Sequence, residues 1–352
     1  MTGLFESLQL GDIALANRVV MAPMTRSRAD AEAVPTPIMI EYYRQRASAG
    51  LIVSEGIGPS RHGIGYCRTP GIYTARQLAV WRQVTDAVHE AGGRIVAQLM
   101  HCGRAASRFN KAADAETVAP SAVQAAGRIF TDAAGMQDFD VPRALSLVEI
   151  PGVIEEYATA TRNALEAGFD GVELHCTSGY LPMQFMATNS NLRTDAYGGP
   201  VQHRVRFTIE ALEAMTAVAR GRVSMRICPG NPFNDVLDPD PAATYAALLS
   251  STAHLQLAYL HVIRSPRRDF DAFAFARGHF AGPLILNDGF DGASAALALA
   301  EGHGAAVSFA RHYIGNPDLV RRLREGLPLA GLNPKTLYTP GPVGYTDYPC
   351  AG

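Results

Sequence analysis

The chain has 352 residues, 47% of them hydrophobic and 18% charged, which is enough to bury one large core in a single α/β domain. Its net charge of -2 gives no electrostatic ground for a nucleic acid or an anionic membrane as partner. No apolar run reaches the ~20 residues a membrane-spanning helix needs, and the amino-terminal stretch MTGLFESLQLGDIALANRV is too acidic and too short of apolar residues for a signal peptide.

Residues 1–15 read as a small hairpin with Gly11-Asp12 at its turn, suited to cap one end of a larger fold. Short β-type runs then alternate with helical patterns to the end of the chain. The strands are expected at RVVMAP (18–23), GLIVSE (50–55), RIVAQLM (94–100), DGVELH (170–175), RVSMRI (222–227), LAYLHVI (257–263), PLILN (283–287) and AAVSFA (305–310). Apolar-periodic helices are expected over 75–92, 152–168, 202–219 and 292–302. Eight strands separated by helices predict a closed (β/α)8 TIM barrel, in which each helix returns the chain so that the next strand runs parallel. Residues 101–150, rich in Ala, Gly and Pro, form a long excursion after the third strand, on the face where such loops build an active-site rim. No shift in composition marks a boundary, so 1–352 reads as one domain. The five cysteines (Cys67, Cys102, Cys176, Cys228, Cys350) show no CxxC pair and no metal-ligand spacing, which predicts reduced thiols in a cytoplasmic protein.

Polar residues gather where strands end. The first strand exits as Met21-Ala-Pro23-Met-Thr25-Arg26, the third as Gln98-Leu-Met100-His101-Cys-Gly-Arg104, and the fourth as His175-Cys-Thr-Ser178-Gly-Tyr180. The fifth carries Arg226, and the eighth runs into Ala310-Arg311. In repeating β/α proteins the carboxyl ends of the strands carry the chemistry. Gln and Thr can read the edge of a planar heterocycle, and Arg can neutralise a phosphate or stabilise an electron-rich ring. A flat, phosphorylated cofactor across the barrel mouth uses all of them. His101 has no metal partner at usable spacing and reads as a helix-entry or packing residue, and the Cys176 side chain should point away from its neighbours' site.

Longer segments sharpen this reading: MAPMTRSRA (21–29), TPGIYT (69–74), QLMHCGR (98–104), GFDGVELH with GYL and QF (168–185), NLRTDAYGG (191–199), FND (233–235), FARHYIGNPDL (309–319) and LYTPGPVGYTDYP (337–349). In their shared order and spacing the sequence resembles the Old Yellow Enzyme family of flavin-dependent ene reductases over nearly its whole length. The resemblance implies a barrel that holds FMN non-covalently. Pro23 and Thr25 then sit beside the flavin, Gly56 approaches the ring, Gln98 bonds the pyrimidine edge and Arg226 lies by N1 and O2. Arg311, with the backbone amides of Ala310 and Gly289, holds the phosphate. NADH or NADPH reduces the flavin, and a small α,β-unsaturated carbonyl compound then takes its place. His175 is the implied carbonyl anchor and Tyr180 the implied proton donor, with Tyr338, Tyr66 and Met100 lining the substrate space.

Four positions depart from the family pattern, the mildest being Ala310 in place of the usual glycine before Arg311. The anchor is His175-x-x-Ser178 where Asn or His is usual, and serine offers one shorter donor in place of two. Asp288 in NDGF (287–290) replaces a glycine close to the phosphate, where a carboxylate is unfavourable unless it turns away or meets a cation. Met100 stands where many relatives have Trp, which opens or softens the pocket. A second reading therefore keeps the fold and flavin but serves isomerisation or desaturation of one natural-product intermediate. A third is a barrel that binds a ligand without turnover. Monomer and homodimer both stay open.

Overall fold

Eight parallel strands follow one another around a closed barrel in chain order. They are Val19–Met21 (β1), Leu51–Ile57 (β2), Ile95–Leu99 (β3), Gly171–His175 (β4), Val223–Ile227 (β5), Leu260–Ile263 (β6), Leu284–Asn287 (β7) and Ala306–Phe309 (β8). The last pairs with the first, Ser308 opposite Val20, which closes the ring. Seven lie within the expected segments, and β2 starts within its own but runs two residues past it, to Ile57. The coordinates are a computed structural model describing residues 2–352, and Met1 of the expected hairpin lies outside the described residues. Every residue of β1 to β5 is buried, because one face meets the barrel interior and the other the helices.

The amino-terminal hairpin forms as expected. Leu8–Leu10 pairs antiparallel with Ile13–Leu15, and Gly11 turns the chain in the left-handed region at φ 54°. Leu10, Ile13 and Leu15 pack with Val20, Val53, Val96, Tyr259 and Ile285, closing the amino-terminal end of the barrel with an apolar plug. Apolar at one end, the barrel concentrates its polar groups at the other.

The expected helices appear as Ala75–Glu90, Ile150–Glu166, Val201–Arg204 continuing into Arg206–Val218, and Gly292–Ala300. Thr74 starts the first of these with a capping box: its hydroxyl accepts from Gln77 N at 3.3 Å, and the Gln77 side chain accepts from Thr74 N at 3.1 Å. Helices over Pro37–Gln45, Pro241–Thr252 and Ala272–His279 complete the outer layer, the last two capped by Asp240 and Asp271. Within residues 101–150 lies a hairpin, Arg128–Thr131 against Gly135–Asp138. Asn110 holds it to the body, its Nδ2 donating to Phe130 O at 3.0 Å and Gly65 O at 3.1 Å.

Trp81, the single tryptophan, joins the inner and outer layers. It is fully buried, donates from Nε1 to Gly71 O at 3.0 Å, and packs its ring 5.2 Å from Phe169 and 6.2 Å from Tyr43. Trp81→Ala is expected to cost about 3–5 kcal/mol, the sum of lost burial and a residual cavity. Urea unfolding followed by far-UV circular dichroism measures this, and a loss below ~1 kcal/mol would contradict the packing.

Candidate active site

A cavity of about 650 Å³ opens at the carboxyl ends of the strands. It brings together Pro23 and Thr25 after β1, Gly56 on β2, Gln98 and Met100 at the end of β3, His175, Ser178 and Tyr180 at and after β4, and Arg226 on β5. Tyr66 and Tyr338 reach the same cavity from loops, so eleven of the fourteen expected residues share one wall. Residues that sequence reading missed also face it, among them Arg128, Ile129, Phe130 and Met136 of the excursion hairpin. No aspartate or glutamate lines it.

The remaining three expected residues, Gly289, Ala310 and Arg311, stand just past β7 and β8, outside that wall. Asp288 and Gly289 are both left-handed, at φ 78° and 77°. Arg264 lies against this turn, its Nε donating to Asp288 O at 3.3 Å and its guanidinium stacked on Phe273 and Phe290. The position that replaces a glycine with a carboxylate is therefore flanked by a cation.

Beneath the cavity runs a buried polar layer. Gln98 Nε2 donates to Glu173 Oε1 at 2.8 Å, Glu173 Oε2 pairs with His261 Nδ1 at 2.8 Å, and His261 Nε2 meets Ser308 Oγ at 2.7 Å. Arg226 Nη2 donates to Asn287 Oδ1 at 2.7 Å, while its Nη1 lies 2.9–3.0 Å from both His261 ring nitrogens. Burial lowers the His261 pKa to about 4, with the Arg226 charge acting in the same direction. Burial alone would raise the Glu173 carboxyl, but His261, Arg226 and Gln98 bring it below its ordinary value. Glu173 and His261 were not singled out from the sequence. Their signal was a polar residue in the middle of an otherwise apolar strand.

On the open side, the His175 and Tyr180 rings lie 5.0 Å apart. Burial pushes the His175 imidazole down to about 3, reinforced by Arg226, and holds the Tyr180 phenol well above its ordinary value. Both groups are neutral at physiological pH. The Tyr180 hydroxyl is 3.4 Å from that of Tyr66, which also accepts from Asn234 Nδ2 at 3.2 Å. Asn234 Nδ2 donates in addition to Ser178 O at 2.8 Å, and Ser178 is left-handed at φ 58°. Cys176 turns into the shell between barrel and helices, fully buried, and His101 is buried as well, its Nδ1 accepting from Gly103 N at 3.1 Å. Gly56 has a packing reason of its own: a Cβ there would stand 2.5 Å from the Met100 sulfur.

Gln184, quoted in the sequence only as part of a motif, clamps the loops that carry these groups. Its Oε1 accepts from Arg104 N at 3.0 Å, and its Nε2 donates to Cys102 O at 2.9 Å and Gly179 O at 2.7 Å. Gly103, at φ 58°, has to be glycine, since a Cβ would run into the Gln184 amide.

His175 Nδ1 and Arg226 Nε are buried with no partner in the protein. Leaving such groups unpaired costs about 1–3 kcal/mol each. Thr25, Gln98 and Arg226 line the cavity as polar groups able to meet the edge of a flat ring, and a wall free of carboxylates tolerates an electron-rich one, so the residues present fit FMN. Among the described residues, no cluster of His, Cys, Asp or Glu could hold a metal, and no helix is long and apolar enough to cross a membrane.

A parallel barrel with this mouth belongs to the flavin-binding oxidoreductases. Residues 3–330 match the NADH:flavin oxidoreductase / NADH oxidase family, and the chain is a member of it. It is 41% identical to a probable flavin mononucleotide-dependent alkene reductase of Leishmania infantum, over 98% of this chain and 97% of that one. Among solved structures it is similar to the Old Yellow Enzyme homologue from Zymomonas mobilis, at 40% identity and TM-score 0.95 over 99% of both chains. Morphinone reductase in complex with tetrahydroNAD gives 41% identity and TM-score 0.94, covering 99% of this chain and 98% of the other.

Gln184→Leu removes three hydrogen bonds and strands their buried partners, an expected loss of about 3 kcal/mol at ~1 kcal/mol each. Urea unfolding checks the stability. If the clamp positions the Tyr180 loop, turnover also falls at least tenfold in protein that remains folded.

Proposed function

We propose that this chain is an FMN-dependent ene reductase, reducing the C=C bond of a small α,β-unsaturated carbonyl compound with NADH or NADPH in two half-reactions at one site. The observation that carries the reading is the pairing of His175 with Tyr180 on a cavity that Gln98 and Arg226 also line. Bound FMN would supply the hydride-transfer chemistry that links the nicotinamide to the β carbon of the substrate.

Pro23, Thr25, Gly56, Gln98 and Arg226 hold the flavin ring, and Arg311 with the amides of Ala310 and Gly289 holds the phosphate, the whole chain acting as one domain. Neutral His175 donates a hydrogen bond to the substrate carbonyl, and that bond strengthens as negative charge builds on the oxygen. Ser178 adds one hydroxyl donor. Tyr180 gives the proton to the α carbon as general acid, and Tyr66 and Asn234 hold the phenol in line. Tyr338, Phe130 and Phe233, all more than half exposed, border the entrance with Met136 and favour an apolar substrate. Four buried thiols and one exposed one, none paired, suit a reducing cytoplasm.

The decisive observation is the spectrum of purified protein under anaerobic NADPH. A yellow protein that bleaches and is reoxidised by an enone supports the reading, and failure of both steps sinks it. Turnover of an enone isomer without consumption of reductant would point to isomerisation instead.

Two variants separate the roles. Tyr180→Phe should slow reoxidation by enone at least ~100-fold while reduction by NADPH stays within about twofold, read by stopped flow. Ser178→Asn should raise kcat/KM for cyclohexenone about tenfold, because Asn adds a donor and tolerates the left-handed backbone. No change would mean that Ser178 does not act at the anchor.

Because burial depresses His175 and raises Tyr180, neither changes charge near neutrality. The enone half-reaction should therefore be flat from about pH 6 to pH 9, across the range where an ordinary histidine titrates. A tenfold change with an apparent pKa near the ordinary histidine value would overturn that assignment.

A further inference from the structure

Glu173 lies below the wall of the cavity, fully buried, and reaches both groups through which the protein faces the pyrimidine side of the cofactor. It accepts directly from Gln98 Nε2 at 2.8 Å. It reaches Arg226 through His261, which pairs with Glu173 Oε2 at 2.8 Å and lies under Arg226 Nη1. A carboxylate is an acceptor only, so the Gln98 group facing it must be the NH2. The Gln98 carbonyl oxygen is thereby left for a donor in the cavity. Glu173 also supplies the negative charge that answers the buried guanidinium, since Asn287 and Ser308 are neutral and two cations in contact disfavour a protonated His261.

We propose that Glu173 is a positioning residue for the flavin, acting from beneath it. It fixes which end of the Gln98 amide meets the cofactor, and it partly cancels the Arg226 charge, which keeps the reduction potential of bound FMN low. This rests on the proposed binding of FMN against Gln98 and Arg226. The electrostatic sign is fixed: reduction adds negative charge to the ring, and an unopposed Arg226 would favour the reduced form. His261 transmits the arrangement without carrying charge itself.

The test is an anaerobic spectroelectrochemical titration of holoenzyme, together with FMN affinity measured by fluorescence quenching. Wild-type protein that binds no FMN overturns the functional reading and this inference with it, so that measurement comes first. Given binding, Glu173→Gln should favour reduced over oxidised FMN by about tenfold more than wild type, a positive shift of about 30 mV for a two-electron couple. An unchanged or more negative potential in folded Glu173→Gln holoenzyme refutes the proposal while leaving the functional reading intact. Glu173→Asp keeps the charge but draws the carboxylate back from Gln98. It should weaken FMN binding at least fivefold with the potential near that of wild type. If Glu173→Gln does not fold, Glu173→Asp decides: FMN binding equal to wild type overturns the proposal.

Discussion

A carboxylate, an imidazole and a guanidinium inside a barrel are tolerable only if they satisfy one another. Parallel register is what arranges this. Glu173 stands opposite Gln98 on β3, Arg226 lies opposite His175 on one side and His261 on the other, and Asn287 pairs with Ser308. Residues far apart in sequence thereby become neighbours in one layer. Removing one member leaves the others buried and unpaired, which is far more costly than the net worth of any single bond. The layer therefore behaves as a unit and gives the mouth a fixed chemical floor.

The substrate side is built differently. His175 ends β4, but Ser178, Tyr180 and Tyr66 sit on loops or at loop ends, and their positions depend on cross-loop contacts: Gln184 ties Cys102 and Arg104 to Gly179, and Asn234 ties Ser178 to Tyr66. Ser178, Asn234 and Asp235 all adopt left-handed backbone conformations that non-glycine residues seldom take. Strain of this kind persists where surrounding bonds over-determine the chain. It accompanies the placing of His175 and Tyr180 side by side, where burial keeps both neutral.

The barrel was legible because its signal is local. Each strand is a short apolar run bounded by turn residues, and all eight were recoverable, as was the hairpin with its Gly11 turn. The helix over Pro241–Thr252 escaped because its alanines are apolar without being strongly periodic, so no face stands out, and that over Ala272–His279 because its eight residues make too short a periodic run. Strand-end residues such as Gln98, His175 and Arg226 could be read because a barrel has only one carboxyl face. Gln184 and Asn234 could not, since their importance lies in partners up to 168 positions away. Glu173 and His261 sat in plain view as interruptions of apolar strands, but an inward polar residue has no meaning until its partners across the sheet are known.

The same division accounts for where this chain departs from its relatives' pattern. On the floor, changing Glu173 or His261 alters the pairing of every member, so substitutions there are coupled. At Ser178 the backbone carbonyl, not the side chain, is what Asn234 holds. The loop can therefore keep its course while the side chain that lines the cavity changes. Asp288, just past β7, fits the same logic: the bond to Arg264 is made by its carbonyl oxygen, and the guanidinium packs on two phenylalanine rings. Both unusual residues occupy positions whose geometry is secured by the main chain, which leaves the side chain free to adjust anchor strength or charge without disturbing the barrel.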